Sequence, residues 1–286
     1  MKKTNNHFKW LYIFLAPIIF SCNSPLTKEG SAESPPSEQP AISYDTNNPS
    51  SIVKAVEMAC GSWDKLWEQK DVEFTYSYLY PQEGKEDIST ERYVFDTEQS
   101  WGEYTKHEIN VMPEKTGIVQ QYYDGEKAFC KHDDRMMADS ALVDFSHFLR
   151  KANYFWFTMM FKLSNSGTIH EYQGQEMVKG INYDKVLVTY DPAVTGKEQN
   201  DTYVLYVNPE TKMVDQFLFS LPYLGVNEVV LKMEVEYEEI NGLKLPTKRS
   251  IFRPQEGGGY ADEPNLVQTS SGIKFDNGFT SETLAL

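Results

Sequence analysis

VVLKMEVEYEEINGLKLPTKRSIFR, residues 229–253, is the stretch whose reading decides the fold. Val229, Leu231, Met233, Val235 and Tyr237 alternate with Val230, Lys232, Glu234, Glu236 and Glu238, the period of two that sets one row of side chains on each face of a strand. One row is apolar and the other mostly charged, so one face is dry and the other wet. Asn241-Gly242 supplies the two positive-φ residues of a tight hairpin turn, and residues 243–253 return as a second strand. A lone hairpin is marginal in water and needs flanking strands. Upstream, residues 202–207, the turn Asn208-Pro209-Glu210-Thr211-Lys212 and residues 213–221 read as strand, turn and strand. Residues 202–253 therefore form an antiparallel meander, and its apolar face needs a cover.

Further out the pattern repeats. Residues 71–80 alternate Val72, Phe74, Tyr76, Tyr78 and Tyr80 against Glu73, Thr75, Ser77 and Leu79, with a turn at 81–84. Strands are predicted at 90–95, 103–111, 117–123 and 127–131, the last two joined through Asp124-Gly125, and again at 168–172, 175–179 and 185–190. A first helix starts at Pro49-Ser50-Ser51, presents Ile52, Val53, Val56 and Ala59 on one face and stops at Gly61. The class is α+β, mainly antiparallel β.

A longer helix is capped by Asp139 or Ser140 and carries Leu142, Phe145, Leu149, Ala152, Trp156, Met159 and Leu163 at helical spacing. Over residues 154–163, Phe155, Phe157, Met160 and Phe161 fill the opposite side as well, and a helix apolar all round is buried all round. Two readings follow. The decamer is a core helix, or it lines an apolar cavity, with Trp156 and Met159 serving the fold and Phe155, Phe157, Met160 and Phe161 facing a ligand. It is too short to span a bilayer.

The chain has 286 residues, 40% of them hydrophobic and 14% aromatic, enough for one sizeable core. Its formal net charge is −15, and loss of a leader bearing Lys2, Lys3 and Lys9 and no acid takes it to −18. Phosphate backbones and anionic headgroups repel such a surface, so nucleic acid is not an expected partner. Residues 1–21 have the parts of an export signal: a basic start, a short apolar run over 10–20, and then Cys22. Phe20-Ser21-Cys22 resembles a lipobox, with Ile19 and Ser21 where Leu and Ala or Gly are commonest. That resemblance implies cleavage before Cys22 and its lipidation. Residues 23–48, rich in Ser, Pro, Glu and Gln, cannot bury enough to fold and read as a tether. Asn23, where Asp marks inner-membrane retention, implies the outer membrane under lipoprotein sorting rules, with the leaflet left open. The expected organisation is signal peptide 1–21, lipidated Cys22 and tether 22–48, and a single domain 49–286 ending in a loop and a strand.

With Cys22 assigned to lipid, Cys60 and Cys130 remain, either bridged in an oxidising compartment or separate buried thiols. The chain holds no His-Glu-x-x-His, Gly-x-Ser-x-Gly, Cys-x-x-Cys, P-loop or Gly-x-Gly-x-x-Gly, so no cofactor, metal or catalytic set is expected. His132-Asp133-Asp134 reads as a solvated loop, Asp144 and His147 as a surface pair, and Glu234, Glu236 and Glu238 as the wet face of their strand.

Residues 203–219, with Tyr206-Val207-Asn208-Pro209-Glu210-Thr211 turning into Met213-Val214, are followed by Val235-Glu236-Tyr237 and by Ile240-Asn241-Gly242-Leu243-Lys244-Leu245-Pro246. This pattern resembles the outer-membrane lipoprotein carrier and localisation superfamily. The leader and Tyr154-Phe155-Trp156-Phe157 resemble a group of Gram-negative lipoproteins of unknown function within it. The resemblance covers roughly residues 51–253. It implies an unclosed antiparallel half-barrel wrapped around helices, with an apolar cavity for acyl chains. The carriers hold their lid with an arginine, and no position of this sequence is assigned to it. Two function classes follow: a non-enzymatic, membrane-anchored lipoprotein that binds a hydrophobic ligand or lipid, or an interaction or sensor module with a filled core acting through its acidic surface. Oligomeric state is left open.

Overall fold

The computed structural model describes residues 41–196 and 199–284. In chain order these form helices α1 (Pro49–Cys60) and α2 (Trp63–Glu68), then strands β1 (Asp71–Tyr80), β2 (Lys85–Val94), β3 (Gln99–His107), β4 (Val119–Tyr123), β5 (Ala128–His132) and β6 (Arg135–Met136). Helix α3 (Ser140–Thr158) follows and runs into a 3-10 turn at Met159–Phe161. Next come β7 (Thr168–Val178), β8 (Ile181–Tyr190), the short helix α4 (Pro192–Thr195), β9 (Tyr203–Val207), β10 (Val214–Leu221), β11 (Val226–Ile240), β12 (Leu243–Phe252), β13 (Leu266–Phe275) and α5 (Ser281–Leu284).

The thirteen strands form one antiparallel sheet in the order β6-β5-β4-β3-β2-β1-β13-β12-β11-β10-β9-β8-β7. Its end strands, β6 and β7, are not paired with each other, so the sheet is an unclosed half-barrel. Helix α3 is the connection between these two free edges, which carries it across the concave face. Neighbouring strands are neighbours in sequence except at one place, where β13 inserts between β1 and β12. The C-terminal strand thereby joins a six-stranded N-terminal half to a six-stranded C-terminal half.

The deciding hairpin forms as expected. Ile240 pairs with Leu243 at the turn and Lys232 with Phe252 at the far end. Asn241 and Gly242 take φ values of 53° and 71°, the left-handed pair that a two-residue hairpin turn requires. Leu231, Met233 and Val235 are buried on the inner face, while Glu234 and Glu236 on the outer face meet Lys232 and Lys248.

Several boundaries differ from the sequence reading. Residues 168–172 and 175–178, expected with Lys179 as two strands, belong to the single strand β7, because a register shift between Tyr172 and Gln175 breaks the alternation without ending the pairing, and Lys179 starts the turn to β8. Helix α2 was not foreseen; its six residues are too few to show a period, and the Ser62 side chain accepts from the Lys65 amide to start it. Residues 41–48, expected in the tether, lie on the domain instead. The Tyr44 hydroxyl donates to Asp184 at 2.5 Å and the Lys212 ammonium sits over the Tyr44 ring, contacts that an average over a polar tract conceals.

The inner face of the half-barrel

Helix α3 starts where Asp139 accepts from the Leu142 amide and is fixed to the sheet by a buried ion pair. Arg150, on the helix, donates through Nη1 and Nη2 to both carboxylate oxygens of Glu91 on β2, at 2.7 and 3.0 Å. Both side chains are fully buried. The Glu91 carboxylate also accepts from Ser89 and Tyr93, and Arg150 donates a further bond to the Tyr104 hydroxyl. A bidentate pair with these extra partners meets the condition under which two charges can be held away from water. Burial works against the Arg150 charge, but Glu91 beside it outweighs burial and raises its pKa. Gly102 on β3 leaves the room, since a Cβ there would run into the guanidinium. One turn on, Asn153 receives a bond from Tyr78 at 2.7 Å.

The helix ends at Thr158, five residues short of the expected 163, and the next three residues tighten into a 3-10 turn. That change of pitch reorders the decamer from Met159 onward. Phe157 points to the N-terminal half of the sheet, where it stacks on Phe74 and Phe95 and meets Tyr93 edge-on. Phe157 and Phe161 are 1% and 0% exposed and belong to the main core. Trp156 faces the other half and packs on Tyr203, Phe217 and Phe219. Phe155 is half-buried against Tyr203.

A narrow apolar crevice, too tight to admit a water molecule, lies where the helix end meets the sheet. Trp156, Met159 and Met160 line one wall; Phe217, Met233, Val235 and Pro246 line the other, with Arg249 at its side. Of the four residues expected to face a ligand, Met160 alone lines this space. Trp156 and Met159, expected to serve only the fold, line it too. Phe157 and Phe161 are core residues: Phe157, still on α3, packs into the cluster of Phe74, Tyr93 and Phe95, and Phe161 lies in the 3-10 turn, beyond the helical wheel.

Arg249 was not singled out in the sequence. It lies on β12, is 2% exposed, and donates from Nη2 to the main-chain carbonyl of Trp156 at 2.9 Å and from Nη1 to the Tyr76 hydroxyl at 3.2 Å. The Trp156 carbonyl belongs to the last turn of α3, whose oxygens lack intrahelical donors, so the guanidinium caps the helix end and suits its dipole. An arginine on the sheet thus grips the helix, and alternation with Leu243 and Leu245 could have placed it on the inner face.

Cys60 and Cys130 are free thiols, so the bridge that was one of two readings does not form. Cys60 packs in the main core and Cys130 in a separate cluster beneath the start of α3. Burial pushes Cys60 up to about 12 and raises Cys130 as well. Asp133 and Asp134 form the positive-φ turn between β5 and β6, and His147 stacks on Tyr123. Among the described residues no group of three or more His, Cys, Asp or Glu side chains is arranged to hold a metal. No described helix is long and apolar enough to cross a membrane. Cys22 lies outside the described residues.

A model for a family of unknown function, DUF6503, matches residues 43–243. The chain belongs to DUF6503. The match starts beside Tyr44 and ends at the first residue of β12, so the DUF6503 chain carries the rest of β12 and all of β13 beyond it. No curated protein matches the DUF6503 chain. Among solved structures it is similar to a DUF1329 family protein from Desulfovibrio piger, at 15% identity over 85% of this chain and 98% of that one, with a TM-score of 0.50. It is also similar to a putative outer membrane lipoprotein-sorting protein domain from Vibrio parahaemolyticus, at 8% identity over 84% and 97% of the two chains and a TM-score of 0.48. A LolA superfamily protein from Nitrosomonas europaea matches at 12% identity over 81% and 97%, with a TM-score of 0.47. The open half-barrel around helices is the fold that the carrier resemblance implies for this chain.

Proposed function

We propose that this chain is an outer-membrane lipoprotein, anchored through Cys22 and a tether ending near residue 40, whose half-barrel binds a hydrophobic ligand or acyl chain without catalysing a reaction. The observation that carries the reading is the crevice. Three methionines, Met159, Met160 and Met233, meet there between the end of a helix and the concave sheet face. Methionine is unbranched and soft, so a wall built from it can repack around a guest. Ligand sites of known proteins run from roughly 300 to 1,000 Å³. Filling this one requires the 3-10 turn and the end of α3 to move away from β10, β11 and β12, with Arg249 releasing the Trp156 carbonyl. The anchor rests on the leader and on Cys22.

A second reading, a filled half-barrel acting through its acidic surface, is favoured by one observation: the crevice is too tight even for water. Uptake of a fluorescent fatty acid separates the two. Binding that saturates near one probe per chain supports the carrier reading, and no uptake at any concentration below micelle formation supports the filled module. The anchor is tested by Cys22→Ala. The domain is expected to fold and to leave the membrane fraction or remain unprocessed; unchanged fractionation with retained lipid label would refute lipidation.

A further inference from the structure

Besides the Arg150–Glu91 cluster beneath α3, the inner face of the half-barrel carries a second polar row. Val235, Arg249, Gln268 and Tyr78 stand opposite one another on β11, β12, β13 and β1, and opposite residues on neighbouring strands share a face. Ser270 and its partner Tyr76 lie two residues further along on the same face. All of these side chains are buried. Their hydrogen bonding is incomplete. Gln268 Oε1 and Ser270 Oγ are buried with no hydrogen-bond partner among the described residues, although buried polar atoms are satisfied in the great majority of cases.

The charge in this row is also uncompensated. Arg150 has Glu91, but Arg249 has no carboxylate in ion-pair contact among the described residues, only the Tyr76 hydroxyl and the Trp156 carbonyl. Burial raises the pKa of Tyr76 and of Tyr78, so both phenols stay neutral at physiological pH; Tyr78 donates its hydrogen to Asn153, and the Tyr76 hydroxyl keeps its own. A buried cation is normally matched by an anion. Here the cation borders the crevice that takes the ligand in the reading above, with two unsatisfied polar groups on the strand beside it.

We propose that the ligand is an anionic amphiphile, and that Arg249 receives its head group while the chain lies along Trp156, Met159, Met160 and Met233. This inference rests on the ligand-binding reading and adds the polarity of the ligand to it. The head group displaces the Trp156 carbonyl from Arg249, so its arrival and the freeing of the end of α3 are one event. Ser270 Oγ, a hydroxyl without a partner among the described residues, marks the space on the neighbouring strand as a further donor, and the Tyr76 hydroxyl, which accepts from Arg249, keeps its own hydrogen to donate. A carboxylate and a phosphate monoester share the chemistry that Arg249 recognises.

The test uses the full chain in a non-ionic detergent and probes of one chain length that differ only in their head: 12-bromododecanoate, 12-bromododecyl phosphate, methyl 12-bromododecanoate and 12-bromododecylamine. Bromine quenches tryptophan fluorescence at contact, and Trp156 lines the crevice. Saturable quenching by one or both anions at concentrations about tenfold below the ester and the amine is expected, as a charge-assisted bond supplies that margin. The better of the two anions identifies the head group. Arg249→Gln is expected to erase the margin and Arg249→Lys to keep most of it; Gln268→Leu checks the row without touching the helix cap. Equal affinity for anion and ester overturns the head-group assignment and leaves the ligand-binding reading standing. Failure of all four probes to saturate overturns both. The comparison of probes on the parent protein decides the matter even where Arg249→Gln does not fold.

Discussion

Arg150 and Glu91 lie at the centre of the contact between α3 and the sheet, and removing one of them leaves the other charged and buried. Arg150→Met is therefore expected to lower stability by about 3 to 5 kcal/mol, with much of the loss recovered in Arg150→Met/Glu91→Leu. Urea denaturation of the two single variants and the double measures this, and additive losses would contradict the pairing. The thiols give a second prediction at this scale. The thiolate is the reactive form, and burial moves Cys60 up to about 12 and raises Cys130. At pH 8 a thiol reagent is expected to label neither residue in the folded protein and both after unfolding in urea without reductant; two thiols that appear only after reduction would mean a bridge. Neither Glu91 nor Arg249 stood out as single residues in the sequence. The period of two does place each of them inward, Glu91 with Tyr93 and Arg249 with Leu245. It cannot tell a buried ion pair or a helix cap from a break in the pattern, because the partner lies more than fifty residues away.

The hairpin of β11 and β12 was legible because its determinants are local. Gly242 holds a φ of 71° and faces the Lys65 side chain, so Gly242→Val strains the turn and pushes that lysine aside. The expected loss is about 1 to 3 kcal/mol, seen as a lowered thermal midpoint, and a variant as stable as the parent would contradict the turn. Helix α3 was legible at its start, where Asp139 caps it, and misread at its end. A wheel of fixed pitch assigned Phe157 and Phe161 to a ligand; Phe157, on the last turn of α3, instead packs into the cluster of Phe74, Tyr93 and Phe95, and Phe161 lies in the 3-10 turn that follows. Phe157→Ala is accordingly expected to cost about 3 to 5 kcal/mol, the range for truncating a buried aromatic. No local signal marks where a helix that is apolar on every side changes pitch; packing against the two halves of the sheet decides it.

Across the whole molecule the order of strands follows the order of the chain, and for that reason an antiparallel meander could be read from a run of hairpins, while its curling into a half-barrel was what the carrier resemblance implied. The exception is β13, read in the sequence only as a strand after a loop. Its place between β1 and β12 joins residues about 190 apart in sequence, a pairing such as Tyr78 with Gln268 that no local pattern encodes. Its insertion also sets the polar row, since Gln268 and Ser270 arrive with it. A chain ending at residue 253 loses this strand and exposes the edges of both neighbours, so it is expected to lose cooperative unfolding and to aggregate; a two-state transition retained by that truncation would contradict the central position of β13. The account turns on whether the filled interior opens for a lipid. The most direct measurement is native mass spectrometry of the full chain isolated from its own membrane. The account predicts one bound amphiphile per chain, lost from an Arg249→Gln variant, whereas a bare mass in every preparation, unchanged after incubation with lipid, would contradict it.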